Sequence, residues 1–154
     1  DGTLTDGKVY YSKNGEELKR FSIRDGMGIE LLRKGDIISA ILTSESSPIV
    51  SARANKLKIE NVILGSRNKK QDLINLSEKL NIDIDKIAFV GDDVNDLQAM
   101  QKAGFSACPA DSAEAIKDIA DYVSTKNGGD GAIREIAELI LVSQNKSITL
   151  SESW

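Results

Sequence analysis

Three carboxylates follow a short apolar run near the middle of the chain. Ile87–Val90 has the composition of a strand buried in a parallel sheet, and a glycine ends it. Asp92, Asp93 and Asp96 come next. They open a predicted helix over residues 93–102, whose first N–H groups an Asp or Asn side chain can cap. Like charges this close repel one another unless a cation lies among them, and carboxylate oxygens suit Mg²⁺. The run predicts either a magnesium site or a capped helix with solvated charges.

Other polar side chains follow predicted strands in the same way. The chain opens with the polar, glycine-containing stretch Asp1–Thr5. Thr43 and Ser44 end the apolar run Ile37–Leu42, and Lys69 begins the helix after the next strand. Because the carboxyl ends of parallel strands meet at one edge of a sheet, these groups are expected to converge. Carboxylates, hydroxyls and a lysine suit a phosphate ester bound with Mg²⁺. Taken singly, the hydroxyls also fit a helix cap and the lysine an exposed first turn.

The order of the remaining elements predicts the fold. Predicted strands lie at Ile37–Leu42, Val62–Leu64, Ile87–Val90, Phe105–Cys108 and Tyr122–Ser124. One predicted helix ends at Gly35, and five others cover residues 48–56, 69–80, 93–102, 113–119 and 132–142. In the last of these we expect Ile133, Ile136, Leu139 and Ile140 to be buried. Strands that alternate with helices form a parallel sheet with helices on both faces. We therefore predict one doubly wound α/β domain over residues 1–144 and a mobile polar tail over residues 145–154.

A β-hairpin is predicted before the sheet begins. Lys8–Ser12 and Glu17–Ile23 are rich in strand formers, and Asn14-Gly15 lies between them. Asn-Gly between two such runs is a strong hairpin signal. Because these strands are polar, we expect the hairpin to protrude from the domain rather than to join the central sheet.

Composition and charge exclude several classes of function. The formal charge of −4 gives no basic surplus to displace counterions, which argues against a nucleic-acid partner. No apolar run is long enough to span a bilayer, so no membrane partner is expected. The chain has no histidine, which rules out histidine-based catalysis and histidine-bound zinc. Cys108 is the only cysteine, so no internal disulfide can form and the cytoplasm is the expected compartment.

An ordered set of motifs resembles the haloacid dehalogenase superfamily of phosphohydrolases. The motifs are Asp1-Gly2-Thr3, Thr43, Lys69 and Gly91-Asp92-Asp93. Further segments are similar to the cap-less branch of that superfamily, which contains the 3-deoxy-D-manno-octulosonate 8-phosphate phosphatases and the N-acylneuraminate 9-phosphatases. These segments are Asp1–Gly7, Asn14–Lys19, Arg24–Gly26 and Gly128–Glu135. The resemblance extends from Asp1 to about Gln144.

The resemblance implies a mechanism through an aspartyl-phosphate. The superfamily opens with Asp-x-Asp-Gly, in which the first Asp attacks phosphorus. The second Asp, here Asp1, protonates the leaving alcohol and later activates water. The main-chain carbonyl of Asp1, the nucleophile and Asp92 would bind Mg²⁺, supported by Asp93 and Asp96. The nucleophile is expected two positions before Asp1, at the end of a strand that also lies upstream. The alternative is that the chain is a fragment that cannot form the phospho-enzyme.

The resemblance also implies how a sugar-acid phosphate is bound. Thr43 and Lys69 would hold phosphoryl oxygens. Ser44 stands where relatives have glycine, and its side chain would narrow the pocket beside the phosphate. Arg24 and the loop that contains Gly128 and leads to Arg134 would border the substrate.

The resemblance implies a homotetramer, and two alternative functions remain open. In this branch the hairpin of one subunit covers a neighbour's site, and a homotetramer replaces the missing cap domain. One alternative is a domain of a longer sugar-acid cytidylyltransferase, acting mainly in oligomerisation. A response-regulator-like receiver shares the acidic residues, threonine and lysine, but the motif order and the hairpin argue against it.

Overall fold

An antiparallel hairpin begins the structure. In the computed structural model, which describes residues 1–150, β1 (Thr5–Ser12) pairs with β2 (Gly15–Phe21). The predicted Asn-Gly turn joins them, and Ser12 lies opposite Gly15. The hairpin starts three residues earlier than predicted, because Thr5 already pairs with Phe21. The prediction of a hairpin separate from the parallel strands is confirmed.

The parallel strands form two groups rather than one continuous sheet. In the first group β3 (Ala40–Leu42) pairs with β4 (Asn61–Ile63). In the second, β6 (Phe105–Cys108) lies between β5 (Ala88–Val90) and β7 (Tyr122–Val123). The predicted α/β class with parallel strands is confirmed, and no cap domain is present among residues 1–150.

Six α-helices, together with one 3₁₀ turn at Ile84–Lys86, connect and cover the strands of the described chain. They are α1 (Ile23–Lys34), α2 (Pro48–Lys56), α3 (Lys69–Leu80), α4 (Leu97–Met100), α5 (Glu114–Lys117) and α6 (Ala132–Ser143). The limits of α2 and α3 agree with the prediction, because each has a side-chain cap, Ser47 before α2 and Asn68 before α3. Pro48 at the first position of α2 adds a residue with helical φ.

Two predicted helices are much shorter than expected. The helix predicted over residues 93–102 covers only Leu97–Met100, because the Asp96 carboxylate accepts from Lys69 and from the Asp92 amide instead of capping the helix. The helix predicted over residues 113–119 covers only Glu114–Lys117, and it has no side-chain cap.

Helices α1 and α6, which are about 100 residues apart in the sequence, pack closely against each other. Gly28 of α1 permits this approach, since a Cβ there would lie 2.9 Å from the Cα of Arg134. The prediction that Leu139 is buried is wrong: it is 37% exposed, whereas Leu141 is fully buried. Leu139 lies beside the apolar stripe that Ile133, Ile136 and Leu141 form, so the helix turns it towards solvent.

A cavity of about 950 Å³ separates the two groups of parallel strands. Its walls are mainly apolar and come from β3 and β5 and from α1, α3 and α6. At one end it reaches Asp1, Thr43, Lys69, Asp92 and Asp96. The same cavity thus joins an apolar slot between two strands to the polar residues that the sequence singled out.

The last described residues of the chain contact the domain. Leu150 packs against the core that α1 and α6 share, and Lys146 donates to the Gly35 carbonyl. Residues 151–154 lie outside the described residues, so the mobile tail stays a prediction. Among residues 1–150 no helix combines the length and the apolar character needed to cross a membrane.

Candidate active site

The strand ends bring four of the predicted site residues together. Thr43 follows β3, Lys69 begins α3 and Asp92 follows β5, while Asp1 precedes the hairpin. All four line the same end of the cavity. The parallel arrangement explains this convergence, because β3 and β5 both point their carboxyl ends towards it.

Asp92 is the carboxylate at this end that has no salt-bridge partner within residues 1–150. It lies against Gly2, whose φ of 69° favours glycine and where a Cβ would overlap the carboxylate. Within residues 1–150 its side chain forms no salt bridge, unlike the side chains of Asp1 and Asp96. Burial and, to a smaller extent, the nearby negative charge of Asp96 raise the pKa of Asp92 to about 6, and the positive charge of Lys69 acts against the rise. A bound cation would remove this electrostatic penalty.

Lys69 and Asp96 form a nearly buried ion pair. Lys69 Nζ donates to Asp96 Oδ1 at 2.5 Å, with side chains only 11% and 4% exposed. The other oxygen of Asp96 accepts from the Asp92 amide at 3.1 Å. Asp96 therefore fixes both the lysine and the backbone of the acidic turn.

Thr43 presents a hydroxyl with a defined direction. It is buried, and its amide donates to the Ile63 carbonyl at 2.9 Å. Its Oγ1 accepts from the Glu45 amide at 3.1 Å, which leaves the hydroxyl proton for another acceptor. Ser44 instead contacts the acidic turn, where its Oγ accepts from Asn95 Nδ2 at 3.3 Å.

Asp1 is held by two side chains that sequence reasoning gave no role. Thr5 Oγ1 donates to Asp1 Oδ1 at 3.1 Å, and Lys19 Nζ donates to Asp1 Oδ2. Thr5 also accepts from the Gly2 and Gly7 amides, so it closes the turn that carries Asp1. Lys19 comes from β2 of the hairpin, and no periodicity or spacing indicated that it would reach this end of the cavity.

Several predicted residues lie away from the cavity in the single chain. Arg24 is exposed at the start of α1, and Arg134 pairs with Glu138 within α6. Asp93 is exposed, and its Oδ1 accepts from the Val94 amide at 2.7 Å. Gly128 packs against the backbone of Gly2, where a Cβ would overlap the carbonyl oxygen. Substrate contacts of Arg24, Gly128 and Arg134 stay predictions.

The carboxylates near the predicted metal position do not form a group of three in the described chain, and the ligand predicted from Asp1 is its main-chain carbonyl. Among residues 1–150 no three His, Cys, Asp or Glu side chains lie close enough to hold a metal ion. Asp93 uses a carboxylate oxygen within its own turn, and the side chain of Asp1 is engaged by Thr5 and Lys19. The donors that fit Mg²⁺ are the Asp92 carboxylate and main-chain oxygens of the turn that contacts it. A metal at Asp92 therefore needs a further ligand.

Two carboxylates that sequence analysis missed hold the loop beside Asp1. Asp111 accepts from the Gly128 amide at 2.9 Å, and Gly129 donates to the Thr3 carbonyl at 2.8 Å. Asp25, on α1, is completely buried and accepts from the Gly131 and Arg134 amides at 3.2 and 2.9 Å. Burial raises the pKa of Asp25, while these backbone N–H groups act against the rise. Asp25 thus caps α6 from another helix.

We expect Asp25→Ala to lower the free energy of unfolding by about 2–3 kcal/mol, because it leaves buried helix N–H groups without an acceptor. Urea unfolding followed by circular dichroism measures the change. Asp130→Ala in the same loop is the matched control, since the Asp130 side chain is 68% exposed. Equal stability of the two variants would contradict the capping role.

The fold and the polar cavity end are those of a known family of hydrolases. Residues 33–136 match the profile of the haloacid dehalogenase-like hydrolases. The chain belongs to this family, and the resemblance inferred from the ordered motifs is confirmed.

Among its relatives are phosphatases of one sugar acid. The chain is 42% identical to the 3-deoxy-D-manno-octulosonate 8-phosphate phosphatase of Escherichia coli K12 over 146 residues, which cover 95% of the chain and 78% of the relative. The Haemophilus influenzae enzyme of the same name is 39% identical, with 96% and 82% covered. The crystal structure of the Moraxella catarrhalis enzyme with magnesium, phosphate and KDO matches with a TM-score of 0.91 and 42% identity, over 94% of this chain and 83% of that one. The cobalt-bound Haemophilus influenzae structure gives a TM-score of 0.93 at 39% identity, over 96% and 86%.

Proposed function

We propose that the protein is a Mg²⁺-dependent phosphomonoesterase that hydrolyses 3-deoxy-D-manno-octulosonate 8-phosphate. The observation that carries the proposal is the convergence of Asp92, Lys69 and Asp1 at one end of a large cavity. The names of the relatives supply the substrate, and the Moraxella catarrhalis complex supplies the metal and both products of such a reaction. These relatives lend no support to an N-acylneuraminate substrate or to a cytidylyltransferase fusion, and we propose neither.

Different residues of the chain would bind different oxygens of the phosphoryl group. Bound Mg²⁺, held by Asp92 and a main-chain oxygen, would neutralise charge on the phosphoryl oxygens. Lys69, oriented by Asp96, donates to a second oxygen, and the free hydroxyl proton of Thr43 is available to a third. Asp1 gives its proton to the alkoxide oxygen as the P–O bond breaks, and the resulting carboxylate then accepts a proton from water.

A strand upstream of Asp1 is the proposed source of the nucleophile. The mainly apolar cavity of about 950 Å³ lies between β3 and β5, where a further parallel strand fits, and it ends at Asp1. A strand in this slot would cover apolar side chains of both neighbouring strands and of α1, α3 and α6. Its last residues would place an aspartate beside Asp92.

Assembly into a homotetramer in the cytoplasm is part of the proposal. The hairpin exposes Tyr10, Tyr11 and Leu18 by 62%, 70% and 61%, which is apolar surface that a neighbouring subunit can cover. Sedimentation equilibrium at about four times the chain mass would support the assembly, and a monomer at micromolar concentration would contradict it.

Phosphate release by the full-length protein tests the proposed activity. We expect release from 3-deoxy-D-manno-octulosonate 8-phosphate to require Mg²⁺, to stop on addition of EDTA and to return when excess Mg²⁺ is added. N-acylneuraminate 9-phosphate is the comparison substrate, and a lower kcat/KM is expected for it. Absence of metal-dependent release from any sugar-acid phosphate would refute the proposal.

A further inference from the structure

Lys19 is a completely buried cation next to the proposed acid. Its side chain is 0% exposed although it belongs to the exposed hairpin. Its Nζ donates to Asp1 Oδ2 and lies 3.0 Å from Glu16 Oε1. Taking an ammonium group out of water costs several kcal/mol, and a buried ion pair adds little net stability. The position of Lys19 therefore calls for an explanation other than stability.

Glu16 connects Lys19 to a rigid element of the domain. Ser47 Oγ donates to Glu16 Oε2, and Ser47 is also the N-cap of α2, where it accepts from the Ile49 amide at 3.3 Å. Ser47 is 4% exposed and the Glu16 side chain 14%. A chain of polar contacts thus runs from the start of α2 through the hairpin to Asp1, and it limits the movement of the lysine.

Lys19 and Thr5 together engage both oxygens of Asp1. Thr5 Oγ1 donates to Oδ1 and Lys19 Nζ to Oδ2, so neither oxygen can rotate away without losing a contact. Proton transfer to a leaving group depends on such placement, because an error of about 1 Å can lower the rate about 100-fold. The positive charge also stabilises the carboxylate that Asp1 becomes as its proton leaves.

We propose that Lys19 is a positioning residue that orients Asp1 towards the leaving-group oxygen and stabilises its carboxylate. The inference rests on the proposed phosphatase function. Phosphorus bonds to a carboxylate oxygen of the proposed upstream aspartate as its bond to the sugar oxygen breaks. The electron pair of the broken bond stays on the sugar oxygen, which takes the proton of Asp1. Lys19 keeps its own protons throughout. The base of the hairpin is thereby part of the active site of its own subunit.

The dependence of kcat/KM on the leaving group tests this role in the full-length protein. The variants are Lys19→Met, Lys19→Arg and Glu16→Gln. The control is Lys79→Met, an exposed lysine near the end of α3 and outside the hairpin. The sugar-acid phosphate needs a proton at its alkoxide oxygen, whereas p-nitrophenyl phosphate releases a stable phenolate. Because kcat/KM reports the steps up to loss of the leaving group, the two substrates separate proton donation from phosphate binding.

We expect Lys19→Met to lower kcat/KM for the sugar-acid phosphate about 10- to 100-fold and for p-nitrophenyl phosphate less than about 3-fold. Lys19→Arg restores part of the loss, Glu16→Gln gives a smaller loss with the same preference, and the control matches wild type. Equal losses on the two substrates, or no loss in Lys19→Met, would overturn the inference. Should Lys19→Met fail to fold, Glu16→Gln decides by the same ratio. An inactive wild type would instead refute the proposed function itself.

Discussion

Replacement of Asp92 by Asn removes turnover and at the same time stabilises the metal-free protein. Turnover falls because the metal contributes several kcal/mol to the transition state, which corresponds to at least about 1,000-fold in rate. Stability rises because the substitution removes a negative charge that is half-buried, has no salt-bridge partner within residues 1–150 and lies close to Asp96. A carboxylate that only capped a helix would show the opposite change in stability.

The direction of the stability change follows from the pKa of Asp92. That pKa is about 6 in the folded chain and 3.8 for the unperturbed group. Between these values the folded state keeps a proton that the unfolded state has released, so the contribution of Asp92 to stability declines as the pH rises from about 4 to about 6. Above pH 6 the full penalty is present. Allowing for solvent screening of a partly exposed group, we estimate it at on the order of 1–2 kcal/mol.

Thermal unfolding with EDTA and with Mg²⁺ measures both effects at pH 7.5. We expect wild type to gain stability when Mg²⁺ is added and Asp92→Asn to show a higher Tm in EDTA with no further gain from the metal. Asp83→Asn is the control, since the Asp83 side chain is 77% exposed and precedes β5, whereas Asp92 follows that strand. A variant at position 92 that keeps its turnover or its response to Mg²⁺ would refute the metal role.

Substitution of Lys69 by Met is expected to lower both turnover and stability. Loss of a fixed donor to the phosphoryl group lowers kcat about 100- to 1,000-fold. The same change leaves Asp96 buried without its cation, and removal of one partner of a buried pair costs about 3–5 kcal/mol. Lys70→Met is the matched control, because Lys70 is the exposed neighbour in the same helix turn.

A double variant separates the two roles of Lys69. In Lys69→Met/Asp96→Asn neither member of the pair carries a charge, so we expect much of the lost stability to return while turnover stays low. Urea unfolding and phosphate release are measured on the same preparations. If the double variant is no more stable than Lys69→Met, the ion pair does not explain the loss.

Local signals in the sequence were sufficient to predict several elements of the fold. Ser47 and Pro48 mark the start of α2, and the strand-forming runs around Asn14-Gly15 mark the hairpin. The helix after the acidic turn was predicted too long because the Asp96 carboxylate is used elsewhere. Its partner Lys69 lies 27 positions away, a contact that no local rule contains.

In the site, too, local sequence signals predict some residues but not those whose contacts join distant positions. Thr43, Lys69 and Asp92 could be predicted because each follows an apolar run that the sequence indicates as a strand of a parallel sheet. The roles of Lys19 and Asp25 could not, because their contacts join positions 18 and more than 100 residues apart, respectively. A polar hairpin gives no indication that one of its lysines turns inward.

The position of the metal ion is the most direct test of the account. We would soak crystals of the full-length protein with Mn²⁺ and phosphate and locate the ion by its anomalous scattering. A peak about 2.2 Å from an Asp92 carboxylate oxygen and from the main-chain oxygen of Asp1, with phosphate between the ion and Lys69, is the expected result. An ion bound away from Asp92, or phosphate bound without contact to Lys69, would contradict the central claim.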